Sequence, residues 1–404
     1  MAEHRFLYAD NAATTSLSPT ALRAMEPFLT VQYGNPSSLY RLGQEARRAV
    51  EQARRDLAAC LHAEPEEILF TSGGTESDNW ALRAAAHRMA AQGKRRLITS
   101  SFEHPAVLHT CRALEQEGFS VTWLPVHGDG LVRPEEVESA LREDTALVSI
   151  MAANNEIGTV QPVEEIGRLC RAHGVLFHTD AVQAAGNLPI DVKRWQCDLL
   201  SVSAHKFHGP KGMGLLWRRK GLELPALLTG GEQERGLRPG TENTAGIVGM
   251  AAALQDACAS LPAHTARLCA LRDRLAEQAL RLPFSRLNGS RDHRLPGTVN
   301  LSFAGTDGEQ LLLLLDLQGI AVSTGSACES GSHKASHVLL ALGLPEELAR
   351  GSLRFSLGED LTEADTDYMA EKLAGAVQRI RLMNPLWERI ESGRIRYSVP
   401  DETF

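Results

Sequence analysis

From residue 67 onward the chain alternates short apolar runs with longer stretches in which apolar residues recur every three or four positions. "EILFTS" (67–72), "RRLITS" (95–100), "VTWLPV" (121–126), "TALVSI" (145–150), "VLFHTD" (175–180), "CDLLSVS" (197–203) and "MGLLWRR" (213–219) are the short runs. They are continuously apolar, as strands covered on both faces are, and so predict a buried and mainly parallel sheet. Between them "ESDNWALRAAAHRMAAQG" (76–93), "AVLHTCRALEQEG" (106–118) and "VEEIGRLCRAHG" (163–174) carry helical spacing and each ends on glycine. Strand–helix alternation of this kind predicts a doubly wound α/β domain. After about residue 243 the texture changes. "AGIVGMAAALQDACASL" leads into "HTARLCALRDRLAEQAL", and then "GTVNLSFAG", "GIAVSTG" and "GSLRFSLG" read as strands separated by helices. The expected division is a large domain over residues 21–260 and a smaller C-terminal α+β domain over residues 261–404. A segment over residues 1–20 is expected to pack on the smaller domain.

Composition narrows the function. At 404 residues the chain exceeds one ordinary core, which agrees with two domains. Its 42 basic and 50 acidic residues leave a net charge of −8, which argues against nucleic acid or an anionic membrane as the main partner. Seven cysteines at positions 60, 111, 170, 197, 258, 269 and 328 form no CxxC or zinc spacing and no disulfide framework, so a reducing compartment is expected. The N-terminus lacks a basic stretch followed by an apolar one, and the leucine run from Leu311 stops at Asp316. These features predict a cytoplasmic protein.

Three strand ends carry candidate chemistry, and in open α/β sheets ligands sit beyond the carboxyl ends of the strands. "TSGGTES" places Gly73, Gly74 and Thr75 between a strand and a helix, where backbone N–H groups can receive a phosphate. Alone it reads equally well as a tight turn. "HTDAVQ" ends a strand on Asp180, either a carboxylate awaiting a cation or a helix cap. "SAHKFHGPKG" presents Lys206 beside His205, a setting that lowers a lysine's proton affinity and suits Schiff-base chemistry. The rival is a metal site built from His178, Asp180, His205 and His208. A phosphate cradle, a carboxylate and a reactive lysine together match what pyridoxal phosphate (PLP) requires for its phosphate, ring nitrogen and aldehyde. A metal site leaves the glycine turn and Lys206 unexplained.

At this point the chain resembles the cysteine desulfurases of the class V aminotransferase family, in the NifS/IscS group. The likeness runs nearly end to end. It includes "YADNAATT" (8–15), "YGNPSS" (33–38), "TSGGTESDN" (71–79), "EH" (103–104), "NNEIGTVQP" (154–162), "HTDAVQ" (178–183), "SAHKFHGPKG" (203–212), "RPGTEN" (238–243), "STGSACESG" (323–331) and "LRFSLG" (353–358). The resemblance implies the PLP-dependent transferase fold type I, with a mainly parallel seven-stranded sheet. It implies that Lys206 binds the cofactor's aldehyde, Asp180 its ring nitrogen and Gln183 its ring hydroxyl. His104 stacks on the ring and assists proton transfer. Gly74, Thr75, Ser203 and His205 hold the phosphate, with Thr241 reaching it from the neighbouring subunit of a homodimer. Asn155 and Arg354 bind the substrate carboxylate. Cys328, in the small-residue stretch "STGSACESGSHKASH", takes the sulfur of L-cysteine as a persulfide and leaves alanine. Residues 326–335 are expected to be poorly ordered without a partner.

One departure from the family pattern is "NPSSLY", with Tyr40 where the family often has histidine. The implied role is sulfur supply to acceptor proteins for iron–sulfur cluster assembly, tRNA thiolation or both. Selenocysteine lyase, or a sulfur-relay scaffold serving nitrogenase maturation or DNA sulfur modification, are the competing readings. The sequence does not name the acceptor.

Overall fold

The computed structural model describes residues 6–324, 335–399 and 402–403. Seven strands form the central sheet in the order β2-β8-β7-β6-β5-β3-β4, once a short β1 (Leu7–Tyr8) has passed elsewhere. They are β2 (Ile68–Thr71), β3 (Arg96–Ser100), β4 (Ser120–Leu124), β5 (Thr145–Ser149), β6 (Leu176–Asp180), β7 (Leu199–Ser203) and β8 (Gly214–Arg218). Only β8 runs against its neighbours, pairing antiparallel with both β2 and β7. All seven runs read from the sequence as strands are strands of this one sheet, and the sheet is mainly parallel as expected. The reason is visible in the burial. β2, β5, β6 and β7 are buried at every position, so neither face could tolerate a polar alternation.

Two apolar clusters cover the sheet, one centred on Phe70, Phe102, Phe177 and Trp217 and the other on Trp80, Leu82, Leu97 and Leu216. The parallel strands end toward one edge, where the helices Gly74–Ala90 and Pro105–Gln116 begin.

A second, three-stranded antiparallel sheet is ordered β12 (Ser352–Ser356), β10 (Thr298–Phe303) and β9 (Ser285–Asn288). β9 was not legible in the sequence: "SRLN" has one apolar residue in four and pairs only because Leu287 lies across from Leu301. β11 (Ile320–Ala321) pairs in parallel with β1. A separate cluster containing Leu7, Ala9, Leu275, Val299, Phe303, Leu315, Phe355 and Leu373 underlies these elements. Near the C-terminus β13 (Ser398–Val399) pairs with β14 (Glu402–Thr403).

The two helical patterns after residue 243 are one helix, Thr244–Ala279, with Pro262 inside it. Proline there removes one N–H, leaving the Cys258 carbonyl without its usual donor. Pro262 is exposed, so water can replace it. Among the described residues this is the one helix long and apolar enough to cross a membrane. Half of its apolar window is buried, and it packs along the helices Pro19–Thr30, Arg41–Cys60 and Glu363–Met383.

Candidate active site

The ends of β2, β6 and β7 and the loops after β3 and β5 surround a cleft of about 260 Å³. Its walls include Gly74, Thr75, His104, Asn155, Asp180, Gln183, Ser203, His205, Lys206 and Arg354. These are ten of the residues singled out in the sequence, drawn from segments up to 280 positions apart.

At one end lies the turn between β2 and the helix Gly74–Ala90. Gly73 has φ of +152°, a conformation that side chains rarely adopt, and no side chain caps the helix start. The first-turn N–H groups of a helix have no partner within it, and the dipole favours an anion there. A Cβ on Gly74 would lie 2.7 Å from Val182 Cγ2, so glycine lets the turn sit against the end of β6. Ser203 stands beside it, buried at the end of β7. His205 adds a ring whose Nδ1 lies 3.1 Å from Thr14 Oγ1. Burial first, then Lys206 and Lys211, pushes the His205 pKa down to about 4, so the ring is neutral at physiological pH.

Lys206 sits in the single 3₁₀ turn Ala204–Lys206 that follows β7 directly. Its ammonium donates to Ala12 O at 2.7 Å and Ala13 O at 2.8 Å, so the segment before the first helix closes this side of the cleft. Gln183 Nε2 donates to Ala12 O as well, at 3.0 Å.

Asp180 ends β6 and is buried, accepting the Val182 N–H at 2.9 Å. Burial pushes its pKa up, while His104, that N–H and Lys206 pull it down. The helix-cap alternative is not realised: no helix of the structure starts at Ala181, and the bond to Val182 closes a tight turn. His104 caps the helix Pro105–Gln116, its Nδ1 accepting the Ala106 N–H at 3.1 Å. Burial lowers its pKa, so the neutral ring carries its proton on Nε2.

Arg354, on β12, is almost wholly buried and meets the cleft from the second sheet. Nη2 pairs with Asp10 Oδ1 at 2.7 Å and Nη1 donates to Asn155 O at 2.9 Å, while Nε is buried with no hydrogen-bond partner. Its backbone bridges Ser323, with Arg354 N to Ser323 O at 2.7 Å and Ser323 N to Arg354 O at 3.2 Å.

Cys328 lies outside the described residues, as does the rest of 325–334. Ala335, the last residue of the stretch expected to be poorly ordered, is buried. Just beyond it Ser336 hydrogen-bonds Glu156, and His337 Nε2 lies 3.1 Å from Glu103 O. Thr241 is exposed and does not line this chain's own cleft. Its loop is tied down by the Arg238–Glu76 pair at 3.0 Å and by a buried Arg54–Glu234 pair at 2.5 Å. Tyr40 is exposed and lines none of the cleft.

The metal alternative does not assemble. His178 is fully buried between Ser149 Oγ at 2.8 Å and Ser201 Oγ at 3.0 Å, and His208 Nδ1 lies 3.0 Å from Ser16 O. Among the described residues no three His, Cys, Asp or Glu side chains are grouped to hold a metal ion. Sequence reasoning gave no role to Asp10 or Asp78. The place of Asp78 was legible, since four positions after Gly74 on one helix it shares that residue's face, but the groups it meets were not.

The donor set fits PLP. One end is built for an anion, the buried Asp180 carboxylate ends a strand beside it, and the Lys206 amine lines the same cleft. The comparisons agree. The "Aminotransferase class-V" family model matches residues 7–369. Cysteine desulfurase IscS of Methanosarcina thermophila is 51% identical over 384 residues, 95% of each chain. The human cysteine desulfurase is 46% identical over 393 residues, 96% of this chain and 85% of its own. Among solved structures, a NifS-like protein superposes with a TM-score of 0.88 at 40% identity, covering 93% of this chain and 100% of its own. SspA, solved in complex with cysteine, gives 0.77 at 39% identity, covering 87% and 98%. The cleft and these likenesses lead to one conclusion: the chain belongs to the class-V aminotransferase family, among its PLP-dependent cysteine desulfurases.

Proposed function

We propose that this cysteine desulfurase removes sulfur from L-cysteine in the described cleft and carries it on Cys328 to an acceptor protein. The observation that supports this most directly is the convergence of Lys206, Asp180, His104 and Arg354 on one cleft beside the ends of the 325–334 segment. PLP, bound there, supplies an electron sink that withdraws charge from the substrate carbon. The chain's own residues do the rest. Gly74, Thr75, Ser203 and His205 hold the phosphate end, Asp180 holds the ring-nitrogen end, and Gln183 orients the ring edge. Lys206 is the amine that would anchor the aldehyde, and as a free amine it would be a base beside the reacting carbon. His104, neutral with its proton on Nε2, donates or accepts a proton there. Arg354 and Asn155 fix the substrate carboxylate. The sulfur leaves to Cys328 as that thiolate attacks it, and the remaining three-carbon unit, reprotonated, is alanine. Thr241 serves the neighbouring subunit of a homodimer. The working division of the chain falls within the helix Thr244–Ala279.

Incubating wild-type protein with L-cysteine and mapping its peptides by mass spectrometry is expected to show one added sulfur on the Cys328 peptide, removable by a thiol reductant. Sulfur on Cys111 or Cys170 instead would refute the assignment. Both are buried, and burial pushes each thiol up to about 12, which leaves almost no thiolate.

Arg354→Ala tests the substrate end. It removes a charge-assisted pair worth roughly 1.5–3 kcal/mol, so KM for cysteine is expected to rise about ten- to a hundredfold. The same change leaves Asp10 without its cation, so thermal stability is measured alongside. A folded variant with unchanged KM would make Arg354 a structural residue.

A further inference from the structure

Beneath Asp180 the cleft has a second carboxyl group that the reading above leaves without a task. Asp78 lines the cleft from the helix Gly74–Ala90 and is 1% exposed. Its Oδ1 is buried with no hydrogen-bond partner. The nearest basic atom, His178 Nε2, is 3.6 Å away, too far for a hydrogen bond. That ring is no cation, because burial pushes its pKa down to about 3. The groups facing Asp78 are Asp180 and His178 from β6, Ser201 from β7 and, farther off, Glu103 from the loop after β3. None of them is positive. Two neighbouring carboxylates without a cation between them cannot both stay ionised in a dry site. Burial and the field of Asp180 push the Asp78 pKa well up.

The surrounding hydroxyls make a chain that a neutral Asp78 completes. Ser201 lies near enough to Asp78 to pull its pKa down in part, against burial and Asp180, and Ser201 Oγ is 3.0 Å from His178 Nε2. His178 Nδ1 is in turn 2.8 Å from Ser149 Oγ. A protonated Asp78 donates to Ser201, Ser201 donates to Nε2, and Nδ1–H donates to Ser149. Ser201 and His178, the two inner members, then each have one donor and one acceptor in use. Ser201 sits directly across from Asp180 in the β6–β7 register, and Ala181 N donates to Ser201 O at 3.0 Å. Whatever fixes Ser201 therefore fixes the end of β6.

We propose that Asp78 is a positioning residue for the desulfurase reaction: a proton-holding carboxyl group that, through Ser201 and His178, sets the end of β6 and leaves Asp180 the sole ionised carboxylate facing the cofactor's ring nitrogen. The inference rests on the reading of Asp180 given above.

The test compares Asp78→Ala, Asp78→Asn and Asp180→Asn as PLP-loaded proteins. Asp78→Ala breaks the chain at Ser201, and kcat is expected to fall about five- to tenfold, the worth of one hydrogen bond, with KM within about twofold. Asp78→Asn keeps a neutral donor, so kcat is expected within about twofold of wild type. The pH at which the visible absorbance of bound PLP changes is expected not to move. A negative Asp78 would instead support the ring cation, and its loss would lower that pH by roughly one unit or more. Wild-type kcat in Asp78→Ala, an Asp78→Asn as slow as Asp78→Ala, or such a shift would each overturn the inference. If Asp78→Ala does not fold, the infrared difference between wild type and Asp78→Asn decides. The carbonyl band of a protonated carboxylic acid is expected to vanish in the variant, and its absence from wild type would overturn the proposal. An active Asp180→Asn would refute the underlying reading of Asp180, whereas an inactive Asp180→Asn beside an unaffected Asp78→Ala would refute this inference alone.

Discussion

Lys206→Ala is expected to abolish alanine formation from cysteine while the purified protein still binds PLP non-covalently. The phosphate end and the ring-nitrogen end of the cleft are made by other residues, so affinity survives in part. What is lost is the only lysine among the described residues lining this cleft. The change also has a structural cost. The ammonium holds the carbonyls of Ala12 and Ala13, and losing two charge-assisted hydrogen bonds is expected to cost about 3 kcal/mol. The variant should therefore melt several degrees lower, and added PLP should recover part of the loss by mass action. Borohydride reduction of wild type followed by peptide mapping checks the assignment. PLP fixed on Lys211 rather than Lys206 would overturn it.

Asp180→Asn is expected to lower kcat about a hundred- to a thousandfold, the usual cost of removing a preorganised electrostatic partner from a transition state. KM should move far less, because the substrate carboxylate is proposed to be held at Arg354 and not at Asp180. The same substitution should leave the PLP-free protein at least as stable as wild type at neutral pH. Folding raises the pKa of Asp180, so its carboxyl group costs stability once the pH exceeds the unfolded value, and an amide of the same shape pays no such cost. Below the unfolded pKa the two proteins should converge in stability. The opposite outcome, wild-type kcat with reduced stability, would make Asp180 a turn-former and nothing more.

The sheet and most of the cleft were legible because both depend on local signals. Strands buried on two faces are continuously apolar, and the residues at their ends announce themselves by being wrong for a core: Asp180 after "LFHT", Lys206 after "SVSAH". β9 was not legible, since "SRLN" becomes a strand through its neighbour β10 and not through its own composition. Nor was the partnership of Asp10 with Arg354, which joins positions 344 apart through the pairing of β1 with β11 and the bridges of Asp10 to Ser356 and of Ser323 to Arg354. The continuity of the Thr244–Ala279 helix was hidden by Pro262, which ends helices often but need not when its side of the helix faces water. Asp78 was missed for a different reason. Its carboxylate matters because of three groups from other strands, and no spacing along "TSGGTESDN" encodes them.

The bridge between Ser323 and Arg354 has a consequence for delivery. It welds the last paired residue before the 325–334 segment to the arginine assigned to the substrate. With Cys328 as the carrier, four peptide units separate its Cα from that of Thr324, and a trans chain covers at most about 3.6 Å per unit. The carrier's Cα therefore stays within roughly 14 Å of a point fixed beside the substrate, whatever path the chain takes. On that assignment sulfur would leave on a short tether. An acceptor would have to bring its own receiving atom to the rim of the cleft, and one whose receiving atom is recessed by more than that length would go without sulfur however tightly it binds elsewhere on the surface.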